Sequence, residues 1–370
     1  MVFAASPRRI VKECPLSQSH PLRLVAIVVT YNRLAQLQQT LTRLLESSAA
    51  HLAQVVVVDN ASDDGTDDWL ATQDDPRLVH HRLETNGGGA GGFEAGMKRA
   101  MEGGDPDWLL LMDDDARPEP GALAHFCEMD RSGWDALAAA VYHPGGKICD
   151  INRPSLNPFW HPRRFVRTFW GAFTGQARDG FHLTAEAYQG EGILEIDVGS
   201  FVGLFVSRQA VEQAGYPDGA LFIYGDDVLY CLRLRALGTR IGFVPTLRFE
   251  HDFSTLSGPV QRFRPLWKAY YNHRNLMLVY RQAAGILFWP ALVLILPKWW
   301  SKVHHYEEER PAFRRLMRAA IRDGLRRDLT RPHTEVLALA TVVEDVAVKA
   351  ADEQKPQDQN DQAADHDVRH

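Results

Sequence analysis

Two continuous runs of mostly β-branched residues constrain the fold of this chain most strongly. They are Leu24–Thr30 and residues 55–58. Runs that are apolar throughout are typical of parallel strands covered by helices on both faces. The segment between them carries leucines at helical spacing, at positions Leu34, Leu37, Leu41, Leu44 and Leu45. The pattern therefore predicts a strand-helix-strand unit in a parallel sheet.

The next hundred residues continue this alternation. Residues 78–83 and 107–112 are predicted strands, and residues 92–101 form a predicted helix between them. The order β-α-β-α-β-α-β is typical of an α/β fold with a doubly wound, mostly parallel sheet. With 370 residues, 45% of them hydrophobic, the chain can bury the core of one large domain or of two.

Regularity decreases after Pro118. Residues 153–178 are expected to form a shaped loop without regular structure. A strand-like run at 196–206 is followed by predicted helices at 209–214 and 229–237. A short strand is predicted at 241–244, with His251 just beyond it. We therefore expect four segments. They are an N-terminal extension at residues 1–20, an α/β domain at 21–260, a helical C-terminal region at 261–348 and a disordered tail at 349–370.

Composition excludes several classes of protein. A net charge of −6 gives no general attraction to nucleic acid. Four scattered cysteines without CxxC spacing argue against a disulfide framework or a zinc knuckle, and fit a reducing cytosol. Residues 1–20 contain no apolar core, so they are not read as a signal peptide. We expect a cytoplasmic protein.

One apolar segment indicates that this cytoplasmic protein could contact a membrane. Residues 283–297 are uncharged over 15 positions and are followed by Lys298-Trp299-Trp300-Ser301-Lys302. The run is too short to cross a bilayer comfortably. Residues 283–302 are therefore either a membrane-interface anchor at the inner face of the plasma membrane, or a buried core helix or contact in a homo-oligomer.

Three consecutive carboxylates, Asp113-Asp114-Asp115, end the fourth predicted strand. The carboxyl ends of parallel strands open into the ligand crevice of such a sheet. Carboxylates this close repel one another and need a compensating cation, for which a divalent metal is the simplest explanation. The alternative is a solvated acidic turn.

Polar residues also end the first two strands. Asp59 is placed to accept hydrogen bonds from a base or ribose, while Thr30 and Tyr31 line the same pocket. This joint position favours a nucleotide pocket, although Ser62 and Asp63 after the second strand would also serve as helix caps.

A glycine-rich segment, residues 86–93, opens the predicted helix after the third strand. Free amides at a helix N-terminus suit a pyrophosphate, so Asn86, Gly88 and Gly89 are candidate nucleotide contacts. The segment also satisfies GxGxxG, but dinucleotide folds place that motif after the first strand, which disfavours an NAD site.

Six motifs occur together in order: Val29-Thr30-Tyr31-Asn32-Arg33, Val58-Asp59-Asn60-Ala61-Ser62, residues 86–93, Asp113-Asp114-Asp115, Asp226-Asp227 and His251. In this combination the chain resembles the family 2 glycosyltransferases, within them the galactofuranosyltransferase and rhamnosyltransferase branch. The resemblance extends over about residues 24–279 and includes Trp267-Lys268-Ala269-Tyr270-Tyr271-Asn272-His273-Arg274-Asn275. It implies a glycosyltransferase A-type, Rossmann-like fold.

The resemblance also implies roles for residues. Asp113, Asp115 and His251 would bind Mn²⁺ or Mg²⁺, with Asp114 beside the nucleotide. Asp227 would be the general base and Asp226 its orienting neighbour, although two adjacent carboxylates are hard to apportion. His251 beside Asp252 is alternatively a paired surface histidine.

The implied reaction is inverting transfer of galactofuranose from UDP-galactofuranose to a cell-envelope or lipid-linked glycan, in cell-wall polysaccharide synthesis. The close alternative is a rhamnosyltransferase using dTDP-L-rhamnose. A haloacid-dehalogenase-type phosphatase, with an apolar strand before Asp113 and Asp115, and a non-catalytic sugar-nucleotide-binding protein are the further alternatives. The expected partners are a nucleotide-sugar donor and a glycan acceptor.

Overall fold

The computed structural model describes residues 22–252 and 262–341. The chain divides into two compact units, Met1–Ser257 and Gly258–His370. The expected disordered tail and the expected N-terminal extension both lie outside the described residues.

Within its described residues the first unit contains nine strands and eight helices. The strands are β1 Leu24–Thr30, β2 Gln54–Asp59, β3 Leu78–Arg82, β4 Trp108–Asp113, β5 Ala116–Pro118, β6 Ala136–Tyr142, β7 Leu194–Ile196, β8 Leu204–Ser207 and β9 Ile241–His251. The helices are α1 Leu34–Leu45, α2 Thr66–Ala71, α3 Gly88–Gly103, α4 Ala122–Glu128, α5 Pro162–Thr174, α6 Ala177–Phe181, α7 Arg208–Ala214 and α8 Asp226–Ala236.

The strands form one sheet in the order β3-β2-β1-β4-β8-β6-β9-β5, and β7 also pairs with β9. Strands β3, β2, β1 and β4 are mutually parallel, as the sequence predicts. Beyond β4 the sheet is mixed, because β8 runs antiparallel to both β4 and β6. The predicted fold class is confirmed, with this mixed half as the added detail.

Both faces of the sheet are covered by helices, which explains the uninterrupted apolar strands. Ala26 and Val28 of β1 pack in one cluster with Leu37 and Leu41 of α1. The alternating residues of β1 face the other way, in a second cluster that includes Phe93 and Met97 of α3. Side chains of a strand alternate between faces, so each face needs its own apolar set.

Two segments, residues 153–178 and 196–206, differ in structure from the prediction. Residues 153–178, expected to be an irregular loop, contain α5, which has Pro162 in its first turn and ends at Gly175 in the left-handed region (φ +80°). The run 196–206 is split into β7 and β8, because Gly203 lies at φ +77° between them and breaks the extended backbone. Pro162, Gly175 and Gly203 are therefore the residues from which these boundaries could have been predicted.

The last strand is longer than predicted. β9 extends to His251, so His251 ends the strand rather than following it. Its pairing with β6 shifts register between Ala139 and Ala140, where β9 contains Pro245. Because proline has no amide to donate, a strand accommodates it at such an irregularity. The sequence-based boundary stopped at this proline.

The second unit is helical in its described part, with α9 Lys268–Ala284, α10 Phe288–Ser301, α11 Arg310–Arg326 and α12 His333–Ala340. The Trp267–Asn275 motif opens α9, and its Tyr270, Arg274 and Asn275 are buried. The Tyr270 hydroxyl donates to Asp323 at 2.8 Å. By length and composition alone, one helical stretch of the described chain, Lys268–Arg326, qualifies as a membrane span.

Candidate active site

The three carboxylates lie where β4 ends and the chain turns into β5. Val29 of β1 pairs with Asp113, so the triplet is beside the carboxyl end of the neighbouring parallel strand. The Thr40 hydroxyl of α1 donates to the backbone oxygen of Asp114 at 2.6 Å. Helix α1 therefore fixes the turn that presents the triplet.

Asp114 and Asp115 are held by neighbours from the loop after β1. The Thr30 hydroxyl donates to Asp114 at 2.7 Å. One guanidinium nitrogen of Arg33 contacts Asp114 at 3.2 Å and Asp115 at 2.5 Å. Both carboxylates are buried, and Asp113 is half-buried. Thr30 and Arg33 thus orient the triplet and offset part of its charge.

His251 reaches the triplet because β9 pairs antiparallel with β5, which places His251 opposite Ala116. Its Nε2 lies 2.9 Å from Oδ1 of Asp115. Its Nδ1 lies 2.9 Å from Oδ1 of Asn152. The ligand atoms of Asp113, Asp115 and His251 all lie within 4.8 Å of one another.

This donor set fits a divalent metal. A neutral imidazole donates from one nitrogen only, so a histidine between two oxygen acceptors needs a second proton or a cation on one side. Because Asn152 lies at Nδ1, the nitrogen of His251 available to a cation is Nε2, which faces Asp115. Two carboxylates with one imidazole suit Mn²⁺ or Mg²⁺, and the imidazole favours Mn²⁺.

The electrostatics also favour a cation at this position. Burial raises the pKa of Asp113 well above its ordinary value, and the charges of Asp115, Asp114 and Asp226 add to this. Burial raises the pKa of Asp114 to about 6 even though Arg33 opposes the shift. Burial also acts to raise the pKa of Asp115, but the hydrogen bond and charge of His251, with Arg33, lower it overall.

Asp226 and Asp227 form the first turn of α8. The turn before them is conformationally demanding, since Phe222 and Tyr224 have φ values of +67° and +71°. Non-glycine residues in this region cost energy and are frequent at functional sites. Burial raises the pKa of Asp226 to about 6. Burial and the charge of Asp226 raise the pKa of Asp227 to about 7, near the optimum for a general base at neutral pH.

At the predicted nucleotide pocket, Asp59 is fully buried and both of its oxygens accept hydrogen bonds. Oδ1 accepts from the Ser62 amide at 2.9 Å, and Oδ2 accepts from Arg82 at 2.6 Å. Tyr31 is 46% exposed at the end of β1. Asp59 thus holds Arg82 and the Ser62 turn at the sheet edge, and its contact with a base stays a prediction.

The glycine-rich segment packs closely against the turn that contains Phe222. Gly88 has a φ of +70°, and a Cβ there would overlap the carbonyl oxygen of Phe222. That same oxygen accepts from the Ala90 amide at 3.1 Å. The Gly88 amide donates to the Asn86 side chain at 2.7 Å. Glycine at position 88 therefore lets α3 approach the turn that carries Asp226, while the pyrophosphate contact stays a prediction.

Three polar residues in and around the site were given no role from the sequence. Arg33 lies inside a quoted motif and Arg82 ends β3, so their positions at strand ends carried a signal. Asn152 comes from a short turn, Asp150–Asn152, within a region without periodicity. No local pattern pointed to Asn152, because its role depends on a contact with His251, 99 residues further along the chain.

Comparisons with known proteins agree with this geometry. Residues 25–180 match Glycosyl transferase family 2. An undecaprenyl-phosphate mannosyltransferase of Micrococcus luteus is 31% identical over 65% of this chain and 89% of its own length. The galactofuranosyltransferase GlfT1 of Mycolicibacterium smegmatis is 26% identical over 78% of this chain and 90% of its own length.

A solved structure of GalNAc-T7 with UDP, GalNAc and Mn²⁺ has a TM-score of 0.50 at 12% identity, covering 71% of this chain and 48% of that chain. This likeness supports the glycosyltransferase A-type fold expected from the sequence. The relatives give no support to the phosphatase alternative. With its sequence match, its relatives and its fold in agreement, the chain belongs to glycosyl transferase family 2 and is a glycosyltransferase.

Proposed function

We propose that this protein is an inverting, metal-dependent galactofuranosyltransferase. The donor is UDP-galactofuranose, and the acceptor is a hydroxyl of a lipid-linked or cell-envelope glycan. The observation that supports the proposal most is the convergence of Asp113, Asp115 and His251, with Asp226 close enough to raise the pKa of Asp113. Such an arrangement supports a cation site for a diphosphate beside a pair of carboxylates suited to proton transfer.

Each residue then has a defined part in the reaction. Asp113, Asp115 and His251 would hold Mn²⁺ or Mg²⁺, and such an ion would supply Lewis-acid stabilisation of the charge on a departing diphosphate. Asn152 keeps Nε2 of His251 directed at the site. Arg33 keeps Asp114 and Asp115 in place. Asp227 accepts the proton of the acceptor hydroxyl as that oxygen attacks the anomeric carbon.

The choice of sugar depends on resemblance rather than on the site. GlfT1 of Mycolicibacterium smegmatis, which covers most of this chain, is a galactofuranosyltransferase. A mannosyltransferase is also among the relatives, so a mannosyl donor is the alternative that a specific finding favours. dTDP-L-rhamnose also stays an alternative, because the dTDP-rhamnosyl transferase RfbF of Shigella flexneri is among the relatives and its donor would present a diphosphate to the same residues.

A donor screen tests the proposal directly. Purified protein with Mn²⁺ would be incubated separately with UDP-galactofuranose, dTDP-L-rhamnose and GDP-mannose, and donor hydrolysis or transfer would be followed by mass spectrometry. We expect turnover of UDP-galactofuranose above the other two. Preferential turnover of either alternative would replace the donor while leaving the family assignment intact.

Inhibition by the free nucleotides provides a second discriminator. Uracil lacks the C5 methyl group of thymine, and one methyl-sized difference in a close pocket is worth roughly 1–3 kcal/mol. We therefore expect UDP to inhibit at least about tenfold better than dTDP. Equal inhibition, or a preference for dTDP, would favour rhamnose.

We place the reaction in the cytoplasm, where nucleotide sugars are made. In the described part of the chain Cys127, Cys149 and Cys231 are free thiols, which suits a reducing compartment. The lipid-linked acceptor implies work at the inner face of the plasma membrane.

A further inference from the structure

The second unit presents an apolar face on α10 and the turn before it. We call the following exposed residues the α10 face: Ile286, Leu287, Trp289, Val293, Leu294 and Trp300. Ile286 is 91% exposed, Val293 71% and Leu294 62%. Contiguous exposed apolar residues of this size mark an interaction surface more often than chance exposure.

The opposite side of α10 is packed in the unit. Phe288, Leu292 and Trp299 are buried. The ring of Trp299 lies 5.2 Å from that of His273 on α9. The Arg281 guanidinium lies 4.5 Å from the ring of Phe288. Because α10 is already anchored on this side, the α10 face is a second apolar surface, one that the described residues of its unit leave exposed.

The length of α10 indicates how it would meet a bilayer. Its 14 residues span about 21 Å at the rise of an α-helix, less than the roughly 30 Å of a hydrocarbon core. Gly285, with a φ of +55°, separates it from α9. Lys298 and Lys302 follow the apolar run and Trp289 and Trp300 lie on its exposed side, a distribution typical of a helix that lies in the interface.

Charge is distributed unequally along the chain. Residues 262–341 contain 15 Lys and Arg against 6 Asp and Glu, a net of +9, whereas all other residues contain 26 against 41, a net of −15. Much of this positive charge is on α11, where five exposed arginines recur every fourth residue: Arg310, Arg314, Arg318, Arg322 and Arg326. Residues four apart are neighbours on a helix surface, so these five arginines form one continuous row, the arginine stripe, which winds by about 160° around the helix from the first to the last.

We propose that the described part of the second unit binds the surface of an anionic lipid bilayer, with the α10 face inserted among the headgroups and the arginine stripe attracted to their charge. An acidic protein with a locally basic, apolar region has the complementarity that an anionic membrane requires. The inference goes beyond the proposed reaction and holds for any donor sugar. A second copy of this chain is the competing occupant, and the experiment separates the two.

Co-sedimentation of the full chain with vesicles tests this surface. The vesicles would be phosphatidylcholine alone or with about one third phosphatidylglycerol, since attraction to basic residues depends on anionic lipid. We expect binding to the anionic vesicles that weakens as salt increases. Hydrogen exchange in the wild-type protein should slow at residues 286–300 on vesicle addition and stay unchanged in α12. Absence of binding, or no added protection at 286–300, would overturn the proposal.

Variants distinguish the contribution of the α10 face to vesicle binding from that of the arginine stripe. Val293→Ser with Leu294→Ser should weaken vesicle binding at least about tenfold through lost apolar insertion. Arg314→Glu with Arg318→Glu should remove the preference for anionic vesicles. The matched control is Leu337→Ser, an exposed apolar residue of α12, which should bind like the wild type. Far-UV circular dichroism and thermal unfolding verify that each variant is folded.

A second copy of this chain on the α10 face would give a different pattern of results. If the α10 face joins two copies, light scattering would show a dimer that Val293→Ser with Leu294→Ser converts to a monomer, without vesicle binding by the wild type. That result would overturn the lipid proposal in favour of self-association. Equal vesicle binding by the wild type and this variant would also overturn it.

Discussion

Asp227 is the residue on which the proposed chemistry depends most. General-base catalysis contributes typically 10²–10⁴-fold, so we expect Asp227→Asn to lower kcat by about that factor. Donor affinity should stay within several-fold, because the base acts in the transition state. Asp226→Asn is the matched control and should cost less. The reverse ranking, measured by steady-state kinetics, would move the base to Asp226.

The pKa of Asp227 gives a prediction for pH. A base must be deprotonated, so kcat should fall as pH decreases through about 7. The folded pKa lies above the ordinary carboxyl value, so the folded protein disfavours ionisation, and stability is lost as pH rises from about 4 towards 7. Thermal unfolding should therefore occur at a higher temperature in Asp227→Asn than in the wild type at alkaline pH. The difference should vanish in acid, and a difference independent of pH would contradict this electrostatic origin.

Asn152 tests whether His251 is held for a ligand role. Loss of a residue that orients a metal ligand typically costs 10–100-fold in metal affinity. We expect Asn152→Ala to raise the Mn²⁺ concentration needed for half-maximal activity by about that factor. Asn152→Asp retains an oxygen facing Nδ1 and should behave more like the wild type. Identical Mn²⁺ titrations for Asn152→Ala and the wild type would show that this contact does not position a metal ligand.

Among the elements, the start of α3 offers a matched pair of glycines. A Cβ on Gly88 would overlap Phe222 and require a side chain at φ +70°, whereas a Cβ on Gly89 meets nothing within 4 Å. Left-handed strain alone costs about 1–3 kcal/mol, so Gly88→Ala should lower the free energy of unfolding by at least about 2 kcal/mol. Gly89→Ala should change it by less than about 0.5 kcal/mol. Denaturant unfolding measures both, and equal effects would contradict the assigned packing.

The elements also explain how far the sequence could predict the site. Parallel strands end at one edge of a sheet, so the runs of β1, β2 and β4 sufficed to bring Thr30, Asp59 and Asp113 to one side. The position of His251 required the pairing of β9 with β5, a contact 135 residues apart in sequence that no local pattern specifies. Helix α5 was missed because residues 153–178 show no sustained period, although Pro162 and Gly175 mark its two ends.

At the scale of the whole molecule, fold and chemistry are supported by different kinds of observation. Family membership is shown by relatives that cover most of this chain. The metal site is instead a proposal that depends on three residues from β4, the turn after it and β9. Sequence motifs pointed to these residues, but the hydrogen-bond partners that orient them, Arg33 and Asn152, became visible only in three dimensions.

Calorimetric measurement of UDP binding at increasing Mn²⁺ concentration is the most direct test of the proposed metal site. For the wild type we predict that UDP affinity increases with Mn²⁺ until the site is saturated. Asp113→Ala, Asp115→Ala and His251→Ala should each weaken UDP binding and raise the Mn²⁺ requirement together, because the three residues hold one ion. The proposed metal site would be contradicted if the Mn²⁺ dependence of UDP binding were unchanged in His251→Ala. It would also be contradicted if UDP binding by the wild type did not depend on Mn²⁺.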